Sequence, residues 1–366
     1  MKLQIEKETL LNPLQQIIGA VEKRQTMPAL SNVLIRASDN LLTLTATDLE
    51  IELVSQISMI IDEPGEITVP ARKLLDICKS LPNEAIINFS VKDNKALVQS
   101  GRSRFTLATL AANDFPALDS INSIYEFEIN QNTFRDLIDK TAFAMAQQDV
   151  RYYLNGLMLE VSANNLRAVA TDGHRLAYCE KKTNADIPDI KQVILPRKGV
   201  LELVRLLADT DETAKIILGS NHLQVEFSQI RFTSKLIDGR FPDYNRVMPE
   251  GGENIITADR DQLRQALIRA SILSNEKYRG IRLILEKDLV KLQAQNPDHE
   301  EADVEQEVVY SGDDIEIGFN VNYMLDVLNV TSSEMVQASL RDSNSSFLLT
   351  YPDQEDCKYV IMPMRL

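Results

Sequence analysis

Three segments of this chain carry apolar residues at helical spacing, and each is followed by two runs typical of paired β-strands. The helical positions are Leu10, Leu14, Ile17, Ile18 and Val21; Phe134, Leu137, Ile138 and Phe143; and Leu263, Leu267, Ala270 and Leu273. Strand runs such as NVLIRASDNLLTLTATD and LMLEVSANNLRAVATD turn at the polar pairs Asp39-Asn40 and Asn164-Asn165. Pro13 is expected near the first turn of its helix, where its missing N–H costs least. A second helix and a second antiparallel run complete each unit, so the pattern predicts an α+β fold with antiparallel sheets and six long helices.

The same phrases return along the chain with one period. LLDI begins at Leu74, VLEL at Val200 and MLDV at Met324, which gives offsets of 200 − 74 = 126 and 324 − 200 = 124. The pair Phe115-Pro116 recurs as Phe241-Pro242 at a spacing of 126 residues. Repeats of this length are domain-sized, so we expect three similar domains over residues 1–122, 123–251 and 252–366, with boundaries in the polar stretches near 119–125 and 249–254.

The charge is distributed unevenly. The formal net charge is −15, which by itself argues against binding to nucleic acid. The six segments expected to be helical contain 15 Lys and Arg against 11 Asp and Glu, so they carry +4 and the remaining residues carry −19: 8–24, 71–81, 132–151, 197–209, 261–279 and 321–331. Basic helices in an acidic protein suit a surface that faces a polyanion. Ordinary helix composition gives the same excess, because Lys and Arg are good helix formers.

Composition and missing motifs exclude several classes of protein. The N-terminus has no signal-peptide core and no run approaches the length of a membrane span, so we expect a cytoplasmic protein. The three cysteines are far apart and form no CxxC pair, which indicates neither a disulfide framework nor a zinc site. The chain contains no GxGxxG, Walker, HExxH or GxSxG motif, so no cofactor and no metal are predicted.

Three motifs allow two interpretations each. TDGHRL, from Thr171, groups an Asp, a His and an Arg as a proton-transfer site does, but the parallel phrase TDLEIE lacks the His and Arg, which favours a turn that frames a pocket. QQDVRYYLNG, from Gln147, joins an arginine and two tyrosines at a predicted helix end, which suits either a DNA contact or a corner with core tyrosines. The tail YVIMPMRL, from Tyr359, reads either as a last strand packed in the core or as an adaptable apolar surface for partners.

Eight phrases in order along the whole chain resemble those of the bacterial DNA polymerase III β subunits, the replicative sliding clamps: VPARKLLDIC, SGRSRFTL, QQDVRYYLNG, TDGHRLA, LPRKGVLEL, DGRFPDYNRVMP, EIGFNVNYMLDVLN and YVIMPMRL. The resemblance implies a head-to-tail homodimeric ring of three similar clamp domains per subunit, with two helices per domain facing inward and sheets outside. It implies a processivity factor without catalysis, which encircles duplex DNA irrespective of sequence. The partners implied are the replicative polymerase α subunit, the clamp loader, and other polymerases and repair proteins that carry clamp-binding peptides, with no membrane.

The resemblance also assigns residues to four surfaces. The peptide cleft would use Leu154, Thr171, Gly173, His174, Arg175, Leu176, Pro242, Arg246, Val247, Val360 and Met362. An adjoining groove would add Asn320, Tyr323, Ser346, Pro363, Met364, Arg365 and Leu366, with Asn344 at a place where similar clamps can have an apolar residue. The ring seam would join Lys73, Arg102, Arg104, Phe105 and Leu107 of one subunit to Ile272, Leu273, Glu300, Glu301 and Asp303 of the next. DNA contacts would come from Arg24, Arg72, Gln148, Arg151, Tyr152, Tyr153, Arg197 and Lys198, with Glu22 weakening the contact at Arg24.

Two other classes of function stay open at this point. One is an enzyme that acts at the TDGHR turn, and the other is a repeat-built interaction scaffold that does not bind DNA. A dimer mass separates a clamp from a monomeric enzyme. Retention on circular but not on linear DNA separates a clamp from a scaffold.

Overall fold

The computed structural model describes residues 1–22, 27–116, 118, 121–185, 187–249 and 252–365. Within these ranges it contains six α-helices: α1 (Lys7–Ile17), α2 (Ala71–Ser80), α3 (Gln131–Asp139), α4 (Arg197–Leu206), α5 (Arg260–Ser271) and α6 (Val321–Asn329). None of the helices in the described part of the chain is long and apolar enough to cross a membrane.

The same ranges contain 24 β-strands, and their pairings are antiparallel. They are β1 (Lys2–Glu6), β2 (Asn32–Ser38), β3 (Leu41–Thr47), β4 (Ile51–Ser58), β5 (Gly65–Pro70), β6 (Ile86–Lys92), β7 (Lys95–Ser100), β8 (Ser103–Ala108), β9 (Tyr125–Asn130), β10 (Gly156–Val161), β11 (Asn165–Thr171), β12 (Arg175–Lys182), β13 (Lys191–Pro196), β14 (Thr213–Leu218), β15 (His222–Phe227), β16 (Ile230–Lys235), β17 (Asn254–Asp259), β18 (Gly280–Glu286), β19 (Leu289–Gln295), β20 (Glu301–Glu307), β21 (Ile315–Asn320), β22 (Met335–Leu340), β23 (Phe347–Tyr351) and β24 (Gln354–Ile361).

The predicted fold class is confirmed, but the helices are shorter than expected. They run for 9 to 12 residues. The segment expected to be helical over 132–151 ends at Asp139, and QQDVRYYLNG lies beyond it in a turn and a short 3-10 helix, Tyr152–Leu154. Over the helices as observed, 11 Lys and Arg stand against 7 Asp and Glu, so the excess of +4 persists.

Pro13 lies in the interior of its helix and not in the first turn. The helix begins at Lys7, directly after β1, because Leu10, Leu14 and Ile17 form a buried stripe from that point. Proline has no N–H to donate to the carbonyl of Thr9, so this helix lacks one hydrogen bond. The segment expected to be helical began at residue 8, one residue from the observed start, so the helix position was right and only the low cost expected for Pro13 was wrong.

The first compact unit comprises residues 1–132 and 198–236. It holds an eight-stranded sheet in the order β5-β2-β3-β4-β16-β15-β14-β9 and a four-stranded sheet in the order β1-β6-β7-β8. Asp39 and Asn40, at the predicted turn between β2 and β3, have φ of 50° and 58°, as a tight hairpin with right-handed twist requires. Pairing of β4 with β16 joins the first repeat to part of the second, and Glu52 lies opposite Thr233.

The second compact unit comprises residues 133–197 and 237–366. Its eight-stranded sheet has the order β13-β10-β11-β12-β24-β23-β22-β17, and its four-stranded sheet has the order β20-β19-β18-β21. Here β12 pairs with β24, so Leu176 lies opposite Val360. The three predicted domains, 1–122, 123–251 and 252–366, were defined by the sequence repeat and not by the two compact units, and they stay a prediction.

The expectation that no cysteines pair was wrong for two of the three. Cys179 on β12 and Cys357 on β24 are direct register partners and form a disulfide. They are 178 residues apart in sequence, so only the strand pairing reveals their proximity. Cys78 is buried and free, and burial raises the pKa of its thiol to about 12.

Candidate functional site

An apolar cleft of about 180 Å³ opens in the second unit above the β12–β24 pair. Its floor is formed by Leu176 and Val360, which belong to a buried cluster with Met158, Val169 and Phe241. Alternation along each strand sends these side chains to one face of the sheet. The lining residues are Arg151, Leu154, Thr171, Gly173, Arg175, Leu176, Phe241, Pro242, Asp243, Tyr244, Val247, Val360 and Met362.

One wall of the cleft is the phrase FPDYNRV. Asp243 caps a short 3-10 helix by accepting a hydrogen bond from the backbone N–H of Asn245 at 3.3 Å. The Tyr244 hydroxyl donates to Glu160 at 3.2 Å, and its ring lies 5.8 Å from that of Tyr178. Burial, together with the nearby Glu160 carboxylate, raises the pKa of Tyr244. These contacts fix the wall in place beside the floor.

The opposite wall is the TDGHR turn. The Asp172 carboxylate accepts from the backbone N–H groups of His174 and Arg175 at 2.9 and 3.0 Å, and the Thr171 hydroxyl donates to the Arg175 carbonyl at 2.6 Å. Gly173 has a φ of 88°, a conformation that glycine adopts without strain. A Cβ at this position would also lie 3.0 Å from the guanidinium of Arg151.

Arg175 ties this turn to the rest of the second unit. Only 11% of its side chain is exposed. Its guanidinium pairs with Asp172 at 3.1 Å and with Asp326, and it donates to the carbonyl of Phe143 at 2.9 Å. It also lies over the ring of Tyr323, 4.6 Å from the centroid. This arginine is saturated by partners and supports the cleft wall.

We predict that Arg175→Met lowers the free energy of unfolding by about 3 kcal/mol, because two partly buried carboxylates lose their shared cation. The measurement is urea unfolding beside the wild-type chain. Arg246→Met is the matched control, since Arg246 is 84% exposed and pairs with Asp243 on the surface at 3.2 Å. Equal losses for the two variants would contradict the supporting role of Arg175.

Arg151 lies at the cleft, although the sequence resemblance placed it among the DNA contacts. Its guanidinium binds Asp149 at 2.8 Å and donates to the carbonyl of Asp172 at 3.1 Å. The Arg151 guanidinium lowers the pKa of Asp149 to about 2. A DNA contact would therefore compete with an existing ion pair.

The structure gathers most of the residues predicted for the cleft. Nine of the eleven line it, and the exceptions are His174 and Arg246. His174 stacks on Tyr323 with ring centroids 6.4 Å apart. The sequence reasoning missed Phe241, Asp243 and Tyr244 as lining residues. The signal in the sequence that could have identified them is the repeated Phe-Pro pair at 115–116 and 241–242.

The tail is partly strand and partly cleft. Tyr359, Val360 and Ile361 are buried in β24, as the interpretation of a last packed strand expects. Met362 leaves the strand, donates its N–H to the His174 carbonyl at 2.9 Å and lines the cleft. Pro363, Met364 and Arg365 line a second, more open pocket with Asn344, and Met364 donates its N–H to the Gly318 carbonyl at 2.8 Å.

The other members of the predicted adjoining groove lie elsewhere. Asn320 caps α6 by accepting from the N–H of Asn322 at 2.9 Å, and Tyr323 packs under Arg175. Ser346 is half-buried and does not line the second pocket. Leu366 is outside the described residues.

Catalysis finds no support in the TDGHR turn. The Asp172 carboxylate is occupied by two backbone donors and by Arg175, and His174 rests on an aromatic ring. Among the described residues, one group of three metal-type ligands lies close together, Cys179, Cys357 and Asp356, and its two sulfurs are used in the disulfide.

The predicted seam residues lie at the ends of the two four-stranded sheets. In the first unit, Phe105 and Leu107 are on β8, an edge strand, with Arg102 and Arg104 exposed beside them and Lys73 exposed on α2. In the second unit, Glu301 and Asp303 are exposed on β20, also an edge strand, and Glu300 immediately precedes it. Ile272, at the end of α5, is 72% exposed, and Leu273 is half-buried.

The predicted DNA contacts are also divided between the units. In the first, Arg72 is exposed and donates to the carbonyl of Val21 at 3.1 Å, and Lys198 pairs with Asp48 and lies 3.9 Å from Glu22. In the second, Gln148 and Tyr152 are exposed, Tyr153 is half-buried, and Arg197 donates to the Met145 carbonyl at 3.3 Å. Arg24 lies outside the described residues.

Comparison with known proteins decides the family. Models of the DNA polymerase III beta subunit match in three parts: the N-terminal domain at residues 1–119, the central domain at 128–243 and the C-terminal domain at 245–365. The beta sliding clamps of Pseudomonas aeruginosa and Escherichia coli K12 are 56% and 48% identical to the chain over 367 aligned positions, with all of both chains covered. The chain belongs to the DNA polymerase III beta subunit family, the beta sliding clamps.

The structural comparison agrees. A crystal structure of the Pseudomonas aeruginosa clamp bound to griselimycin matches with a TM-score of 0.96 at 56% identity and covers all of both chains. The protein is therefore a DNA sliding clamp of replication, a non-enzymatic processivity factor that works with DNA and DNA polymerase III. The rival interpretation of the TDGHR turn as an enzyme site is wrong.

Proposed function

We propose that this clamp holds its partners through the apolar cleft of the second unit and stays on DNA as a closed dimeric ring in the cytoplasm. The proposal that partners bind in this cleft rests on its shape, an apolar floor of Leu176 and Val360 between two walls fixed by hydrogen bonds. A preformed apolar pocket with a few polar rim groups suits a short linear peptide.

The cleft suits apolar anchors from such a peptide. Val247 and Met362 are partly exposed at its mouth, so anchors that enter would cover them and the floor together. Asp243 and Arg151 at the rim can accept hydrogen bonds from, and donate them to, the backbone and amide groups of the peptide. Such rim charges contribute little to the affinity. The polymerase α subunit, the clamp loader, other polymerases and repair proteins would compete for this one cleft.

The ring would close through the edge strands. An edge strand carries unpaired N–H and C=O groups, and β8 and β20 each offer such a row. Basic Lys73, Arg102 and Arg104 complement acidic Glu300, Glu301 and Asp303, while Ile272 supplies exposed apolar surface. A head-to-tail contact of this kind closes when two subunits each span half a circle.

DNA would be held weakly and without sequence readout. The net charge of −15 repels DNA from most of the surface, and Arg72, Arg197 and Lys198 lie among the basic helix residues. Lys198 pairs with Asp48 and lies near Glu22, so these carboxylates reduce its attraction for DNA phosphates. Weak phosphate contacts let a topologically linked ring slide.

Deletion of Met364 to Leu366 tests the part that the tail plays in partner binding. We expect about a tenfold loss of affinity for a linear peptide of glutamine and apolar residues, since the second pocket loses lining residues that anchors use. The dimer mass should not change, because the seam residues lie on other elements. Peptide titration and sedimentation of the same sample give both readouts. Unchanged peptide affinity would show that the tail is only a closing strand.

A further inference from the structure

A further pocket, of about 360 Å³, lies in the first unit on the sheet face formed by β2, β3, β4, β16 and β15. None of its residues was assigned a role above. Its lining comprises Leu34, Arg36, Thr45, Glu52, Phe115, Leu118, Ile121, Gln224, Arg231 and Thr233.

The internal repeat makes this pocket the counterpart of the apolar cleft of the second unit, the proposed partner cleft. Its wall residues Phe115, Leu118 and Ile121 correspond to Phe241, Tyr244 and Val247 at an offset of 126. The two floor residues correspond as well, Glu52 to Leu176 at an offset of 124 and Thr233 to Val360 at 127. The other strand residues correspond to members of the apolar cluster around that floor: Leu34 to Met158, Thr45 to Val169 and Gln224 to Leu348, each at an offset of 124. The strand pairing is also conserved between the copies, since Glu52 faces Thr233 as Leu176 faces Val360.

The floor differs in chemistry. Two floor positions that are apolar in the partner cleft are polar here, namely Glu52 and Thr233, and Thr45 and Gln224 are polar where the cluster around that floor has Val169 and Leu348. The walls remain apolar, with Phe115, Leu118 and Ile121. The same geometry therefore presents hydrogen-bonding groups at the bottom and apolar surface at the sides.

The charges in the pocket balance. Glu52 has only 12% of its side chain exposed, accepts a hydrogen bond from the Leu118 N–H at 3.4 Å and lies 3.9 Å from Arg231. Burial raises the pKa of Glu52. Arg36 is neutralised by Glu66 at 2.9 Å. Glu52 and Arg231 therefore form the loose ion pair that a ligand in the pocket would meet.

We propose that this pocket binds the carboxamide of a glutamine or asparagine in a linear peptide, with a neighbouring apolar side chain against Phe115 and Ile121. A carboxamide carries two donors for the Glu52 carboxylate and a carbonyl acceptor for the Arg231 guanidinium. A carboxylate would pair with Arg231 but be repelled by Glu52, and an ammonium would pair with Glu52 but be repelled by Arg231, whereas a neutral carboxamide gains from both groups. The inference does not depend on peptide binding at the partner cleft.

The test uses three N-acetyl dipeptide methyl esters, Gln-Leu, Glu-Leu and Lys-Leu, titrated into the full-length protein with methyl-labelled leucine, isoleucine and valine. Resonances of Leu34 and Ile121 report on this pocket, and those of Leu176 and Val247 report on the partner cleft. We expect the Gln peptide to shift Leu34 and Ile121 and to bind there about tenfold more tightly than the other two.

Glu52→Gln gives the decisive variant, because it keeps the side-chain shape and removes the negative charge. The order of the peptides should then invert, with the Glu peptide the tightest binder through Arg231. Glu128→Gln is the matched control, since Glu128 is exposed on β9 of the same sheet, does not line the pocket, and its loss of charge should leave the order unchanged. The proposal is overturned if Leu34 and Ile121 do not respond to the Gln peptide, if the three peptides bind equally, or if Glu52→Gln keeps the wild-type order.

Discussion

Replacing Ile272 and Leu273 together with aspartate is expected to convert the dimeric clamp into monomers of 41.3 kDa. Ile272 is the most exposed large apolar residue near the proposed seam, with 72% of its surface exposed in the single chain. Each side chain buried at a seam contributes about 1.5–3 kcal/mol, and a ring of two subunits has two seams. Placing two carboxylates beside Glu300, Glu301 and Asp303 adds like-charge repulsion.

The measurement is sedimentation equilibrium at several protein concentrations. Ile60→Asp combined with Ile190→Asp is the control, because both residues are exposed and neither belongs to the proposed seam. The control should keep the dimer mass. A charged Ile272-Leu273 variant that still sediments at twice the monomer mass would place the seam elsewhere.

A single carboxylate at the cleft mouth is expected to abolish most partner binding. Val247 is 38% exposed and lines the cleft, so Val247→Asp changes the surface without opening a core cavity. An anchor that enters would have to bury an unpaired charge, and we expect about a hundredfold loss of peptide affinity.

Val150→Asp provides the matched control for this prediction. The substitution is the same, valine to aspartate, but Val150 is 95% exposed and does not line the cleft. Titration of one glutamine-and-leucine peptide into both variants, followed by the resonances of Leu176 and Val360, separates the cleft from a general effect of charge. Equal affinities in the two variants would remove the cleft from the proposed function.

The repeat made much of the fold predictable, while pairings between distant strands were not. Helix positions follow from the spacing of residues such as Leu10 and Leu14, and the turn at Asp39-Asn40 follows from its residue types. The pairing of β12 with β24 joins residues about 180 apart, and no local pattern encodes that register. For this reason the Cys179–Cys357 pair was missed.

The site could be predicted residue by residue only where the family phrases run through it. TDGHRL and YVIMPMRL led to Leu176, Val360 and Met362, which the structure brings together. Phe241 and Tyr244 were missed because aromatic residues beside a proline indicate core as readily as a cleft wall. The ion pairs of Arg151 and Lys198 could not be foreseen, since they depend on Asp149 and Asp48 in the folded chain.

Encirclement of DNA is tested most directly by retention on closed and open DNA at rising salt. The protein is assembled on nicked circular plasmid with a clamp loader, and half of the sample is linearised at one site before gel filtration. We predict that the circular complexes persist as salt rises to about 0.5 M, while clamps run off the linear molecules at every salt concentration, because topology and not phosphate contact holds the ring. Equal, salt-driven loss from circular and linear DNA would contradict a closed ring.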